Sequence, residues 1–429
     1  MNRKIIRSER LGEQYTFIKH TSGLDMLLHP MPGFTGAYAL FTTKYGSIDT
    51  CFKTNLDGGF VEVPEGIAHF LEHKLFEGED GEDAFTRYAL TGASANAYTS
   101  FDRTAYLFSC TDNFAESLEI LLDFVTHPYF SEATVLKEQG IIGQEINMTQ
   151  DNPEWCVFFN LLKALYHNNP ARIDIAGTIE SIAKIDADLL YRCYNTFYNL
   201  NNMSLVIAGN FTVDEAVAVA DKVLKPAEPI TIERHIPEEP YDVKMPKIEA
   251  AAAVAQPLFQ IGFKADPADT EAAGVQNQML DEMLLEIIAG EASPLYRRMY
   301  DSGLINSTFS AEVVSGRGFA ALVFAGESRD PERVKSEIIA EIESIRKTGL
   351  DAELFAKCKK AAYGNSVASF GRVESVASLL LQSHLAGLEV FDILDFMANM
   401  TLNQVQLRLP LIDPNRCAIS VVRQQAERP

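Results

Sequence analysis

An α+β chain made of two homologous halves is the architecture the sequence predicts, on three observations. Apolar residues recur at helical spacing in some stretches and form short strand-like runs in others. Their order appears twice: strands, helix, strand pair, helices, terminal strand. A proline-rich, charged stretch separates the two series. The chain is also long enough, at 429 residues and 47% hydrophobic, to bury two good cores. The predicted boundaries are residues 1–225 for the first half, 226–247 for a linker and 248–429 for the second half.

The elements follow in order. Arg3, Lys4 and Arg7 make the start basic, but no apolar signal-peptide core follows. Pro64, Glu65 and Gly66 open a helix in which Ile67, Phe70, Leu71 and Leu75 take apolar steps of three and four. His69, Glu72 and His73 share the neighbouring stripe. The acidic run 77–83 then ends the helix. It lacks the alternating ligands and distal Glu of an EF-hand, and reads as a solvated turn capping a helix from near Asp83. Residues 131–147 read as a long helix with Ser131 as N-cap, carrying Glu132, Glu138 and Glu145. Residues 203–208 form the terminal strand of the first half, and 213–224 a helix. Pro226, Pro229, Pro237, Pro240 and Pro246 make the linker semi-rigid. Residues 417–422 close the second half as 203–208 close the first.

The stretch His69-Phe70-Leu71-Glu72-His73 carries the most chemistry. Residues four apart on a helix lie one above the other, roughly 6 Å apart at Cβ, and a residue three along shares their face. His69 and His73 can therefore offer two imidazole nitrogens to one tetrahedral Zn²⁺, with Glu72 beside them as a base. A catalytic site needs a third protein ligand. The six other histidines are scattered, and each alone reads as an ordinary polar residue. A carboxylate on the 131–147 helix is the alternative. Glu138 and Glu145, seven residues and two turns apart, point the same way, so one can bind metal while the other orients a ligand from behind.

At these residues the chain resembles the pitrilysin family of zinc metallopeptidases, which includes insulysin and mitochondrial processing peptidase, and within it the short, two-domain bacterial branch of YmfH type. The family motif is H-x-x-E-H, then a Glu ligand some seventy residues on, itself preceded at seven residues by an acid. Glu145 and Glu138 match those positions. Residues 92–100, with Thr104, Ala105 and Tyr106, resemble its substrate-binding edge strand, and the likeness continues through 173–178 and Asn202-Met203. The resemblance implies α/β-sandwich halves with mixed, largely antiparallel sheets covered by helices, each half of two similar subdomains. It implies one Zn²⁺ per chain held by His69, His73 and Glu145, with Glu72 as catalytic base and Glu138 supporting catalysis by orienting the site. It also implies peptide binding along Ala95, Asn96, Ala97 and Tyr98 by strand addition. Tyr106, and a Tyr or Arg from the second half or a partner, are candidates to steady the oxyanion.

The second half repeats the pattern without the ligands. Aligning Gly92 with Gly303 also aligns Arg87 with Arg298, and puts Leu280, Met283 and Leu284 where the first half has His69, Glu72 and His73. Residues 356–365, facing Glu145 in this alignment, contain no acid. Related peptidases carry an Arg and a Tyr seven residues apart in the later half or in a partner. Here Met299 or Tyr300, and Ile305 or Asn306, fall in their places. The expectation is a zinc endopeptidase whose chamber is closed by a second domain or by a homologous zinc-less subunit bearing the Arg–Tyr pair, a heterodimer in preference to a homodimer. The alternative is a non-catalytic assembly or peptide-binding subunit that retains zinc. A net charge of −22 argues against nucleic acid and anionic membranes as partners. No apolar run is long enough to span a bilayer. Six dispersed cysteines without a C-x-x-C pair read as reduced thiols of a cytoplasmic protein.

Overall fold

Continuous apolar runs such as Met203–Gly209 have no solvent face, so they need a sheet covered on both sides. The computed structural model describes residues 2–79 and 81–425 and supplies that sheet; Asp80 of the acidic run lies outside them. The strands from the first half are β1 (Asn2–Ser8), β2 (Glu13–Lys19), β3 (Asp25–Pro30), β4 (Ala37–Thr43), β5 (Cys51–Thr54), β6 (Val61–Glu62), β7 (Ser94–Thr99), β8 (Thr104–Cys110), β9 (Met203–Gly209) and β10 (Ile232–Arg234). Seven form one sheet in the order β1-β2-β3-β9-β4-β8-β7, antiparallel except for β3 with β9. Buried β9 lies centrally. At the free edge, β7 alternates exposed and half-buried residues. β10, β5 and β6 form a small second sheet.

Helices α1 (Ile67–Lys74), α2 (Ala84–Thr91), α3 (Phe114–Thr126), α4 (Glu132–Gln150) and α5 (Pro153–Leu165) follow. Asp83 caps α2 by accepting the Phe85 N–H, as predicted, and left-handed Gly92 ends it. The start of α1 is later than Pro64 suggests. Gly66, with φ of 88°, occupies the N-cap and the helix begins at Ile67.

Strands β11 (Lys247–Ala252), β12 (Leu258–Ala265), β13 (Ser310–Gly316), β14 (Phe319–Glu327) and β15 (Cys417–Gln424) form a second sheet in the order β11-β15-β12-β14-β13. That order matches β3-β9-β4-β8-β7 and keeps its one parallel pair, β11 with β15. Gly92 and Gly303, aligned in the sequence, both have positive φ, 77° and 68°. The repeat is therefore present as topology.

The compact units differ from the predicted halves. One comprises Met1–Ile146, Asp174–His235 and Val367–Phe391; the other Asn147–Ile173, Ile236–Ser366 and Asp392–Pro429. Each half of the chain thus gives a helix to the sheet of the other. α5 packs on β12 and β15, and the helix Val373–Leu385 packs on β9 and β4. On β12, Gly262 makes room for α5, since a Cβ there would sit 3.0 Å from Leu161 and Leu165. Amphipathic spacing shows that a helix needs a sheet but not which sheet.

The semi-rigid linker predicted at 226–247 is fastened along its length. Ile232–Arg234 pairs with β5 in the first unit. In the second unit the buried Lys264 donates to Glu239 at 2.8 Å, the Pro240 carbonyl at 2.7 Å and the Asp242 carbonyl at 2.8 Å. Glu239 in turn accepts the N–H groups of His167, Asn168 and Asn169 at 2.7–2.8 Å. Glu239→Ala leaves a buried ammonium without its counter-charge and should cost about 3–5 kcal/mol. The single tryptophan, Trp155 on α5, lies in this unit and reports the loss in urea titration. A change within experimental error would show that the hub is not holding the strap.

Candidate metal centre

The placement of α1 starts from two glycines. A Cβ on Gly66 would lie 2.3 Å from the Ala176 carbonyl oxygen, and one on Gly177 (φ 76°) 2.5 Å from that of Glu65. Ser181 donates its hydroxyl to the Glu65 carbonyl at 2.8 Å. The turn at 174–177 is thus a close-fitting seat for the N-terminal end of α1. Ile67, Ala68, Phe70 and Leu71 fill the core beneath, so His69, Glu72 and His73 lie on the adjoining face. On α4, Val135, Ile142 and Ile146 are buried, which turns Glu138 and Glu145 toward α1.

The side chains converge. His69 Nε2 is 3.5 Å from Glu145 Oε1, and His73 Nε2 is 3.4 Å from Glu145 Oε2. One donor atom from each of the three residues lies within 4.8 Å of the others, the one such group among the described residues. For bonds of 2.0–2.1 Å, ligand atoms of a tetrahedral zinc stand about 3.3–3.4 Å apart, so this donor set fits the ion. His73 Nδ1 is 3.0 Å from Glu138 Oε1, which fixes that ring and leaves Nε2 as its free ligand atom. His69 Nδ1 is buried without such a partner.

The electrostatics favour a cation. Burial lowers the His73 pKa, but the Glu138 hydrogen bond and the charges of Glu145, Glu138 and Glu72 outweigh it and hold the imidazole above its usual range. The hydrogen bond from His69 holds the Glu145 carboxyl below its usual range. Burial pushes the Glu72 carboxyl up, opposed by the neighbouring histidines and a hydrogen bond from Thr99.

Ala95, Asn96, Ala97 and Tyr98 lie on β7, the free edge, against which α1 packs. Tyr106 is excluded as an oxyanion donor. Its ring is buried on β8 and its hydroxyl pairs with that of Tyr198 at 2.8 Å. Leu280, Met283 and Leu284 are core residues of the second unit, so apolar packing occupies the place of the ligands. None of the four residues in those places makes an Arg–Tyr pair: Met299 and Ile305 are buried, Tyr300 stacks on Tyr296 and Asn306 is bonded to Glu327. Two features went unread in the sequence: the Gly66–Gly177 seat, signalled only by two glycines far apart, and the bond from Thr99 to Glu72.

The chain is similar to known proteins. The family model described as Insulinase (Peptidase family M16) matches residues 58–179, and that described as Peptidase M16 inactive domain matches residues 184–362. All three candidate ligands fall within the first match. The zinc protease YmfH of Bacillus subtilis (strain 168) is 39% identical over 411 residues, covering 94% of this chain and 95% of that one. The crystal structure of an M16-like peptidase from Alicyclobacillus acidocaldarius superposes with a TM-score of 0.93 at 34% identity, covering 98% of this chain and all of that one. Pitrilysin shares the fold, with a TM-score of 0.78 at 18% identity, and this chain covers 46% of it.

Zinc at a hundredfold its Kd should stabilise the protein by about 2.7 kcal/mol in thermal or chemical unfolding. His69→Ala and His73→Ala should abolish that gain, and Glu138→Ala should weaken zinc binding about 10–100-fold. Stoichiometric zinc in the double-histidine variant, by elemental analysis, would sink the assignment.

Proposed function

The chain belongs to peptidase family M16, the insulinase family, and from that premise we propose that it is a zinc-dependent endopeptidase acting on peptides or small unfolded proteins. The observation that carries this reading is the convergence of His69, His73 and Glu145 beside Glu72, a half-buried carboxylate that a purely structural zinc has no need of. Zinc held by the three residues would supply Lewis acidity toward the scissile carbonyl and an attacking water more acidic than bulk water. Glu72 would accept the proton of an attacking water and return it to the leaving amine, work worth typically about 10²–10⁴-fold. Glu138 keeps the His73 ring in register rather than touching the peptide.

β7 is suited to receive the peptide. Its outer main-chain groups have no neighbouring strand among the described residues, and its side chains alternate between exposed and half-buried. Main-chain bonds then give affinity, and alternate side-chain pockets around Ala95, Asn96, Ala97 and Tyr98 give choice.

The reading extends to a homologous, zinc-less partner chain carrying an Arg–Tyr pair, and to a cytoplasmic location. Six free cysteines favour the second. Coverage of about half of pitrilysin, together with the absence of that pair from 293–306, favours the first. An open site weakens the electrostatic stabilisation that a closed, dry one supplies.

Glu72→Gln should keep zinc and fold while lowering turnover of a fluorogenic peptide at least about 10²-fold. A zinc-loaded variant cleaving at the wild-type rate would remove Glu72 as the base. Turnover at matched zinc content should rise when a zinc-less homologous chain is added, with light scattering showing a heterodimer. Full activity from a strict monomer would contradict the partner.

A further inference from the structure

We propose that Thr99 is a positioning residue for the base, its hydroxyl holding one oxygen of the Glu72 carboxylate so that the other is presented to the proton it must accept. The proposal rests on the peptidase reading above. Thr99 Oγ1 donates to Glu72 Oε2 at 2.5 Å, a charge-assisted bond at the short end of the O–H···O⁻ range. A glutamate on a helix has three rotatable bonds, and an unrestrained one would spread over several rotamers. With one oxygen held, that freedom is removed before substrate arrives.

The anchor is itself fixed. Thr99 is the last residue of β7 and lies opposite Thr104 of β8, whose hydroxyl donates to the Tyr45 carbonyl at 2.9 Å. The turn that follows is pinned by Ser100 N–H to the Arg103 carbonyl, Ser47 N–H to the Ser100 carbonyl and Ile48 N–H to the Phe101 carbonyl. Gly46 lies so close to that turn that a Cβ would be 2.4 Å from the Phe101 carbonyl. A hydrogen bond to a carboxylate lowers its proton affinity, so a bond kept merely to strengthen the base would be counter-productive. Its gain is orientation.

Thr99→Val keeps the β-branched shape and removes the hydroxyl; Thr99→Ser keeps the hydroxyl. On zinc-loaded protein, Thr99→Val should lower kcat about 10–10²-fold. KM should move less than about twofold, because the main chain of β7 is unchanged. Thr99→Ser should recover most of the loss. Crystals of zinc-loaded Thr99→Val should show the Glu72 carboxylate displaced or spread over several rotamers, and those of Thr99→Ser should show it restored, a readout that needs no turnover. An unmoved carboxylate in Thr99→Val, a loss confined to KM, or equal damage by Val and Ser overturns the proposal. Two controls separate the failures: no zinc-dependent peptide turnover by the wild type breaks the peptidase reading, and wild-type turnover in Glu72→Gln removes Glu72 as the base, whereas an inactive Glu72→Gln beside a fully active Thr99→Val breaks only the role of Thr99.

Discussion

The closeness of α1 and α4 is the constraint on which the rest depends. Two imidazoles on one helix and a carboxylate some seventy residues later must bring three donor atoms to within 4.8 Å. Helix axes with ordinary side chains between them pack 8–10 Å apart, so ligands must bridge the gap and neither helix can shift by a side-chain diameter. The seat of α1 meets that demand. Gly66 and Gly177 let two backbones touch where any Cβ would collide, and Ser181 ties the contact. Buried α4 residues hold the opposite wall. The ligand geometry is thus fixed by backbone contact at one end and core packing at the other.

The second sheet shows what the fold does without that demand. It has the same strand order and the same single parallel pair, yet Leu280, Met283 and Leu284 pack into its core. Burying two imidazoles and a carboxylate there without a cation or partners would cost several kcal/mol, while apolar groups of similar size gain from burial. One topology therefore accommodates either a polar, convergent site or a dry core, and three side chains on one helix decide between them. The exchange of α5 and Val373–Leu385 between the halves of the chain means that neither half completes its sheet covering alone.

Much of this was legible in residue order. Helical spacing placed His69, Glu72 and His73 on one face, and a two-turn interval put Glu138 and Glu145 on another, because both are local rules of a regular helix. The repeat was legible through paired glycines and terminal strands. What escaped were pairings that no periodicity encodes. Thr99 meets Glu72 across 27 residues, and Glu239 meets Lys264 from inside a stretch that composition marks as a linker. Tyr106 has the chemistry of an oxyanion donor, but its strand position turns it into the core, where Tyr198 takes its hydroxyl. The start of α1 moved because proline tolerance at a first turn is weaker information than a left-handed glycine at a contact.

Anomalous diffraction at the zinc edge, on crystals grown with the metal and without chelator, locates the ion. One strong peak is expected in the first unit, about 2.0–2.2 Å from His69 Nε2, His73 Nε2 and a Glu145 carboxylate oxygen, with Glu138 still bonded to His73 Nδ1. A peak bonded to other residues, or none at these three while zinc is plainly present in solution, would contradict it.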